Sequence, residues 1–339
     1  MNYITTNNFY KFLEKLKKDY QVYIPIKKDK QRFYERYDSR RDDIVIGEVR
    51  AFEPLKSFFT RAREKVSEGF KPDLPHSQDK PLCIVGAKSC DLKGFKVQDH
   101  VFKDKDNEDP FYAKLREENL IISADCTCSI DTCFCLAADI EPYPKENFDI
   151  NLSQVEGGFI VESGSKKGEL LINKHLAMFE NAKKELVSER DAQRERAAKG
   201  VEENIKSNNI PSQDSLEGVI EKKLESGIWE DEAKACVECG ACTIICPTCH
   251  CFLLYDQKNE DNMARLRVWD SCMIKDYARV AGGANPRPRL WMRLRNRFEK
   301  KFDFFPKVAG IYACTGCGRC ISACPAKIDI RKVLRKLVS

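Results

Sequence analysis

Near the C-terminus of this 339-residue chain one cysteine spacing is written twice, and it dictates what the backbone around it must do. Cys236, Cys239, Cys242 and Cys246 precede Pro247 in the pattern C-x2-C-x2-C-x3-C-P, and Cys314, Cys317, Cys320 and Cys324 repeat it before Pro325. Three thiolates at two-residue gaps make a short loop curl around one corner of an iron–sulfur cube. The fourth, turned away by proline, commonly reaches the cube held by the other copy. The spacing therefore pairs Cys236, Cys239, Cys242 and Cys324 on one [4Fe–4S] cluster, and Cys314, Cys317, Cys320 and Cys246 on a second. Zinc also accepts four thiolates, but usually from two separated C-x2-C knuckles, so the doubled triplet favours iron–sulfur over a zinc-held scaffold. A chain of this kind is expected to transfer electrons.

Seventeen cysteines would suggest disulfides in a short secreted protein; here most fall at cluster spacing in a long chain, so reduced thiolates in a reducing, anaerobic cytoplasm are expected. The N-terminus has no signal-peptide core: Phe9, Phe12, Leu13, Leu16 and Tyr20 recur at helical spacing and predict an amphipathic helix. No apolar run approaches the roughly 20 residues needed to span a bilayer, so no membrane association is expected. A net charge of +5 spread over the chain gives no footprint for a nucleic acid.

The pattern predicts an α/β N-terminal domain over residues 1–165, a charged helical linker over 166–227, and a C-terminal α-helical dicluster ferredoxin-like module over 228–339 with an insertion at 247–313. Ile44–Ile46, Leu82–Val85 and Leu120–Ile122 read as buried strands, and Phe159–Val161 with Leu170–Ile172 as a hairpin around residues 163–168. In the linker, Glu185, Glu189 and Arg190 suit an exposed helix face. The acidic run from Asp104 to Asp109 lacks the Gly and terminal Glu of a calcium loop and reads as a turn before Pro110.

Cys126, Cys133 and Cys135 lie within ten residues just after one strand-like run, and Cys90 follows another. Loops after two neighbouring strands can face one cavity, so these four are expected to hold a third [4Fe–4S] cluster, with zinc or inert packed thiols as alternatives. Cys128 can replace Cys126 on spacing alone, and Cys83, inside a strand run, reads as a core thiol. Cys249, Cys251 and Cys272 fit packing beside the Cys246 cluster, substitution of Cys249 for Cys246, or a further metal site with His250. Seven cations between Arg287 and Lys301 accompany an apolar stripe of Leu290, Trp291, Leu294 and Phe298, which predicts a solvated cationic helix face or a docking surface for an acidic partner. No G-x-G-x-x-G turn for a dinucleotide occurs, and no bound flavin is expected in this chain. His76, His100, His175 and His250 are scattered.

The segments GAKSCDLKGF (86–95), CTCSIDTCFC (126–135), CVECGACTIICPTCHC (236–251), WDSC (269–272), AGGANPR (281–287) and CTGCGRCISACP (314–325) stand in an order that resembles the iron–sulfur beta subunits of cytoplasmic sulfhydrogenases and NAD(P)-linked [NiFe] hydrogenases. The same family holds the corresponding iron–sulfur protein of the anaerobic sulfite reductase complex. Ala284 stands where the family often has histidine after AGG, and Lys300-Lys301-Phe302 where it tends to have His-Lys-Phe. The resemblance implies a non-catalytic subunit that passes electrons between a flavin-containing NAD(P)H- or ferredoxin-linked partner and the catalytic partner, a [NiFe] hydrogenase or sirohaem sulfite reductase subunit. The alternative is a catalytic iron–sulfur reductase acting on disulfide or sulfur substrates; such enzymes often carry adjacent cysteines, and no Cys-Cys pair occurs here.

Overall fold

A computed structural model describes residues 1–69, 71–72, 80–259 and 262–339. The chain opens with β1 (Asn2–Thr5) and α1 (Thr6–Leu16), whose first turn is capped by the Thr5 hydroxyl accepting from the Asn8 amide. The expected stripe is realised, because Phe9, Phe12, Leu13 and Leu16 all bury against the sheet. There follow β2 (Gln21–Lys28), β3 (Gln31–Arg36), β4 (Arg63–Glu68), β5 (Lys71–Pro72), β6 (Leu82–Ala87) and α2 (Ser89–Phe102). α3 (Pro110–Glu118) starts at the Asp109 cap, so the acidic run is a turn, and leads to β7 (Leu120–Ala124). β8 (Ile150–Val155), β9 (Gly158–Ser163), α4 (Lys166–Lys174), β10 (Glu180–Asn181) and the 25-residue α5 (Lys184–Asn208) complete this half.

Eight of these strands form one sheet in the order β10-β1-β9-β8-β7-β6-β2-β3, with the central run β8, β7, β6 and β2 parallel to one another. Alternation along β6 and β7 sorts the core into two layers. Cys83, Val85, Leu120 and Ile122 face α1, while Leu82, Ile84 and Ile121 pack with Phe95, Phe102 and Tyr112 on the other side. Cys83 is accordingly a fully buried core thiol.

Three local expectations are corrected. Ile44–Ile46 forms no strand and only bridges Ile26 through Ile44. The hairpin partner of β9 is β8, and Leu170–Ile172 lies in α4, because the Ser165 hydroxyl accepts from the Gly168 amide and starts a helix there. Arg190 is buried, since its guanidinium turns back to Glu162 and Asp191.

The remainder contains α6 (Val219–Lys222), α7 (Ile228–Ala233), α8 (Ala241–Ile244), β11 (Phe252–Asn259), β12 (Asn262–Trp269), α9 (Leu290–Glu299), α10 (Phe305–Ala309), α11 (Arg319–Ser322) and α12 (Ile330–Val338). A core of Trp229, Leu294, Phe298, Val333 and Leu337 holds α7, α9 and α12 together. The inserted hairpin β11–β12 pairs with β4 and β5 from the N-terminal half to make a second, four-stranded sheet. The two halves are also locked by Arg319, fully buried, which pairs with fully buried Asp91 at 2.8 Å and donates to the Ala51 and Phe52 carbonyls. Among the described residues no helix is long and apolar enough to cross a membrane.

Candidate metal centres

The two cysteine repeats fold alike because their backbones alternate hand in the same way. Glu238 and Gly240 flank Cys239 with φ of 56° and 71°, and Gly316 and Gly318 flank Cys317 with φ of 60° and 69°. Left-handed residues on both sides of the middle cysteine curl each loop, and a short helix, α8 or α11, then starts one residue before the third. Those helices contact one another, so the fourth cysteine of each copy is carried toward the loop of the other.

One cavity is lined by Cys236, Cys239, Cys242 and Cys324, with Cys320, Met273, Leu294 and Arg297 around them. Cys324 acts electrostatically on Cys236 and Cys242, and its sulfur accepts from the Ile328 amide at 3.3 Å. Cys246 in turn lies close enough to raise the pKa of Cys314 and Cys320, whose thiols burial pushes up to about 11 and about 12. Cys246 itself is hydrogen-bonded by Cys249, receives the Lys301 ammonium at 3.3 Å and touches the Thr248 hydroxyl at 3.2 Å; the Cys249 bond above all pulls its pKa well below the thiol range.

The N-terminal cysteines also converge. β6 and β7 are adjacent and parallel, so Cys90, in the first turn of α2, and Cys126, just past β7, emerge at the carboxyl ends of neighbouring strands, where α/β sheets bind their ligands. Cys90, Cys126, Cys128, Cys133 and Cys135 line one cavity with Arg50 and Cys317. Both Cys126 and Cys128 border it, so either can serve. Burial pushes the Cys126 thiol up to about 12. Lys88, buried, braces the loops by donating to the Ile46 and Asp125 carbonyls at 2.7 and 2.9 Å. The helix α5 does more than link the halves: Asn204 donates to the Ile130 and Cys133 carbonyls, and Val201 packs with Cys135.

This third group abuts the dicluster loop. The Phe134 amide donates to the Gly316 carbonyl at 2.8 Å, Arg50 donates to the Cys317 carbonyl, and Cys317 borders the N-terminal cavity. A Cβ on Gly318 would fall 2.2 Å from the Thr132 carbonyl oxygen.

Buried thiols held protonated in this way must lose protons to bind metal, and a charged group in such a place needs nearby counter-charge. The sequence signal for that counter-charge was missed. Arg293, Arg297 and Lys301 are buried rather than solvated, at 2, 4 and 4% exposure, which corrects the expectation of a cationic face for these three, while Arg289 and Lys300 remain exposed. Burial opposes the charge on Arg297 and Lys301, but Cys242 and Cys320 beside the first, and Cys246, Cys249 and Cys314 beside the second, outweigh it. Among the described residues no three His, Cys, Asp or Glu side chains close to the spacing of a single ion. A cube interposes its own iron and sulfide between the thiolates, so sulfur-lined cavities with buried cations around them fit clusters. His250, half-buried, hydrogen-bonds the Thr248 carbonyl at 3.1 Å, His100 and His175 pack against the Phe305 and Phe12 rings, and His76 lies outside the described residues.

Comparison with known proteins bears on these centres. Residues 235–328 match the family model of the 4Fe-4S dicluster domain. Over 338 residues, covering 98% of each chain, the sequence is 30% identical to sulfhydrogenase 2 subunit beta of Pyrococcus furiosus. A shorter stretch of 103 residues, 30% of this chain, is 26% identical to 7% of a pyruvate-flavodoxin oxidoreductase of Trichormus variabilis.

Proposed function

The chain belongs to the family of sulfhydrogenase iron–sulfur beta subunits, with [4Fe–4S] clusters and a role in electron transfer, and from that premise we propose a relay through three clusters in one line. Cys90, Cys133, Cys135 and either Cys126 or Cys128 hold the first. Cys314, Cys317, Cys320 and Cys246 hold the second, and Cys236, Cys239, Cys242 and Cys324 the third. The observation that carries the order is shared lining: Cys317 of the middle set borders the N-terminal cavity, and Cys320 of the same set borders the cavity of the outer set.

Both ends of this line reach the surface. Cys128 is exposed at one end, and at the other Cys239 is exposed beside Val237, an apolar side chain 64% open. Electrons then enter and leave at opposite faces, from a flavin-containing NAD(P)H- or ferredoxin-linked subunit to a catalytic hydrogenase subunit, or to a sirohaem subunit of the sulfite reductase type, in a cytoplasmic complex. The protein's part is to fix distances, exclude water and set each potential through burial and nearby charge.

The test is anaerobic purification of the native complex, with partners identified by mass spectrometry and a reductive EPR titration of the bound clusters. A stoichiometric nickel–iron partner identifies a hydrogenase relay, whereas a sirohaem partner identifies a sulfite reductase relay. A chain recovered alone, with clusters that a reduced flavoprotein does not fill, refutes the relay.

A further inference from the structure

Three cysteines remain outside the relay, and the fold gathers them. β11 and β12 form a hairpin whose base is closed by Phe252 opposite Trp269 and by the Asp270 amide donating to the Cys251 carbonyl at 2.9 Å. Cys251 just before the hairpin and Cys272 just after it are thereby made neighbours, and their thiols hydrogen-bond one another. Cys249 lies two residues away and bonds Cys246 of the middle set. All three border one cavity of about 180 Å³, together with Tyr277, Arg297 and Lys300. Arg297 is 4% exposed, and its Nε and Nη2 atoms have no hydrogen-bond partner among the described residues, so a buried cation faces this space without a protein acceptor.

We propose that Cys249, Cys251 and Cys272 hold a fourth [4Fe–4S] cluster in this cavity, with its fourth iron facing the cavity rather than a cysteine. The thiol set is soft and sulfur-rich, as iron–sulfur clusters require. An anionic cluster there places negative charge beside Arg297, which borders this cavity as well as that of the outer set. Contact of Cys249 with Cys246 makes this cluster a branch off the middle of the relay, so the inference rests on the relay assignment for its position but not for its ligands.

The structure assigns the fourth cluster a chemical signature that the other three lack. One iron has no thiolate, so mild ferricyanide oxidation takes one electron from the cluster, releases one Fe²⁺ and leaves a [3Fe–4S] centre. In the anaerobically purified full-length protein, ferricyanide should therefore generate a [3Fe–4S] EPR signal that Fe²⁺ with dithionite reverses. Iron should total about sixteen atoms per chain, four for each cube. Cys251→Ser and Cys272→Ser should each abolish the signal and remove about four irons, whereas Cys133→Ala should remove about four irons and keep it. The inference is overturned if the wild-type protein gives no such signal, or if the signal and iron survive both serine variants. Loss of the Cys133-dependent iron alone speaks to the relay, so the two assignments fail separately. Circular dichroism of each variant guards against a mere folding defect, and the wild-type oxidation needs no variant.

Discussion

Gly318 and Gly218 provide a matched pair for testing whether the dicluster loop is pressed against the N-terminal half. Both precede a four-residue helix, with φ of 69° and 66°, so alanine at either meets the same left-handed penalty of about 1–2 kcal/mol. Their surroundings differ. A Cβ on Gly218 meets nothing within 4 Å, whereas on Gly318 it would stand 2.2 Å from the Thr132 carbonyl oxygen and 2.6 Å from the Thr132 carbonyl carbon. That backbone cannot retreat without moving Cys133, so Gly318→Ala should add an overpacking term of about 1–3 kcal/mol. Cluster proteins do not unfold reversibly, so the useful quantity is a rate. If the contact is lost before the unfolding barrier, Gly318→Ala should bleach the iron–sulfur absorbance in anaerobic guanidinium roughly 5- to 150-fold faster than Gly218→Ala. Equal bleaching rates for the two variants would refute the packing of this loop on Thr132, and with it the adjacency of the first and middle clusters.

Cys320→Ala should remove about four irons per chain and leave the outer cluster's EPR signal; equal loss from both C-terminal clusters would mean that the crosswise repeats load only as a unit. Cys133→Ala should lower iron by about four atoms, and unchanged iron would eliminate the N-terminal cluster. Arg297→Gln should make the potentials of the adjoining clusters more negative, because reduction adds negative charge beside a buried cation, and a redox titration giving an upward shift would contradict this. Arg319→Met should speed the bleaching of the iron–sulfur absorbance in anaerobic guanidinium by leaving Asp91 charged and unpaired in the interior, and adding Asp91→Leu should restore most of the lost lifetime.

The cysteine spacing made most of the site legible, because a cluster loop is local: three ligands and two left-handed residues lie within seven positions. The N-terminal group was legible for a different reason. Apolar runs at Leu82–Val85 and Leu120–Ile122 became parallel neighbours, and loops after such strands share an end of the sheet. Short runs without that context misled. Ile44–Ile46 looks like a strand, but its backbone is used differently, with the Ile46 carbonyl accepting from Lys88. Leu170–Ile172 has strand-like content, yet a serine cap five residues earlier decides for helix, which periodicity over three residues cannot reveal. The union of the inserted hairpin with β4 was not legible at all, since pairing between residues nearly two hundred positions apart leaves no local mark.

The buried cations were the largest misreading, and the spacing that explains them was present. Arg293, Arg297 and Lys301 recur at i, i+4 and i+8, beside the apolar stripe of Leu290, Leu294 and Phe298 at the same period. In an ordinary core such a basic stripe would point to water, because a buried, unpaired charge is too unfavourable. Here the helix packs against sulfur. Lys301 donates to Cys246 at 3.3 Å and to Thr248 and the Ala313 carbonyl at 2.8 and 2.9 Å, and Arg293 donates to the Met273 carbonyl at 3.0 Å while pairing with Glu238 at 2.8 Å. Arg50, also buried, lies beside Cys133 and opposes the rise that burial gives its thiol, whereas at Lys88 and at Lys56, which lies beside Cys249, burial outweighs the neighbouring thiols and lowers the pKa. The mild net charge of +5 conceals this arrangement, because a formal count takes no account of clusters whose negative charge the interior must offset. In a chain whose cysteines announce several clusters, a cationic stripe that continues the apolar face is therefore better read as internal counter-charge than as a docking surface.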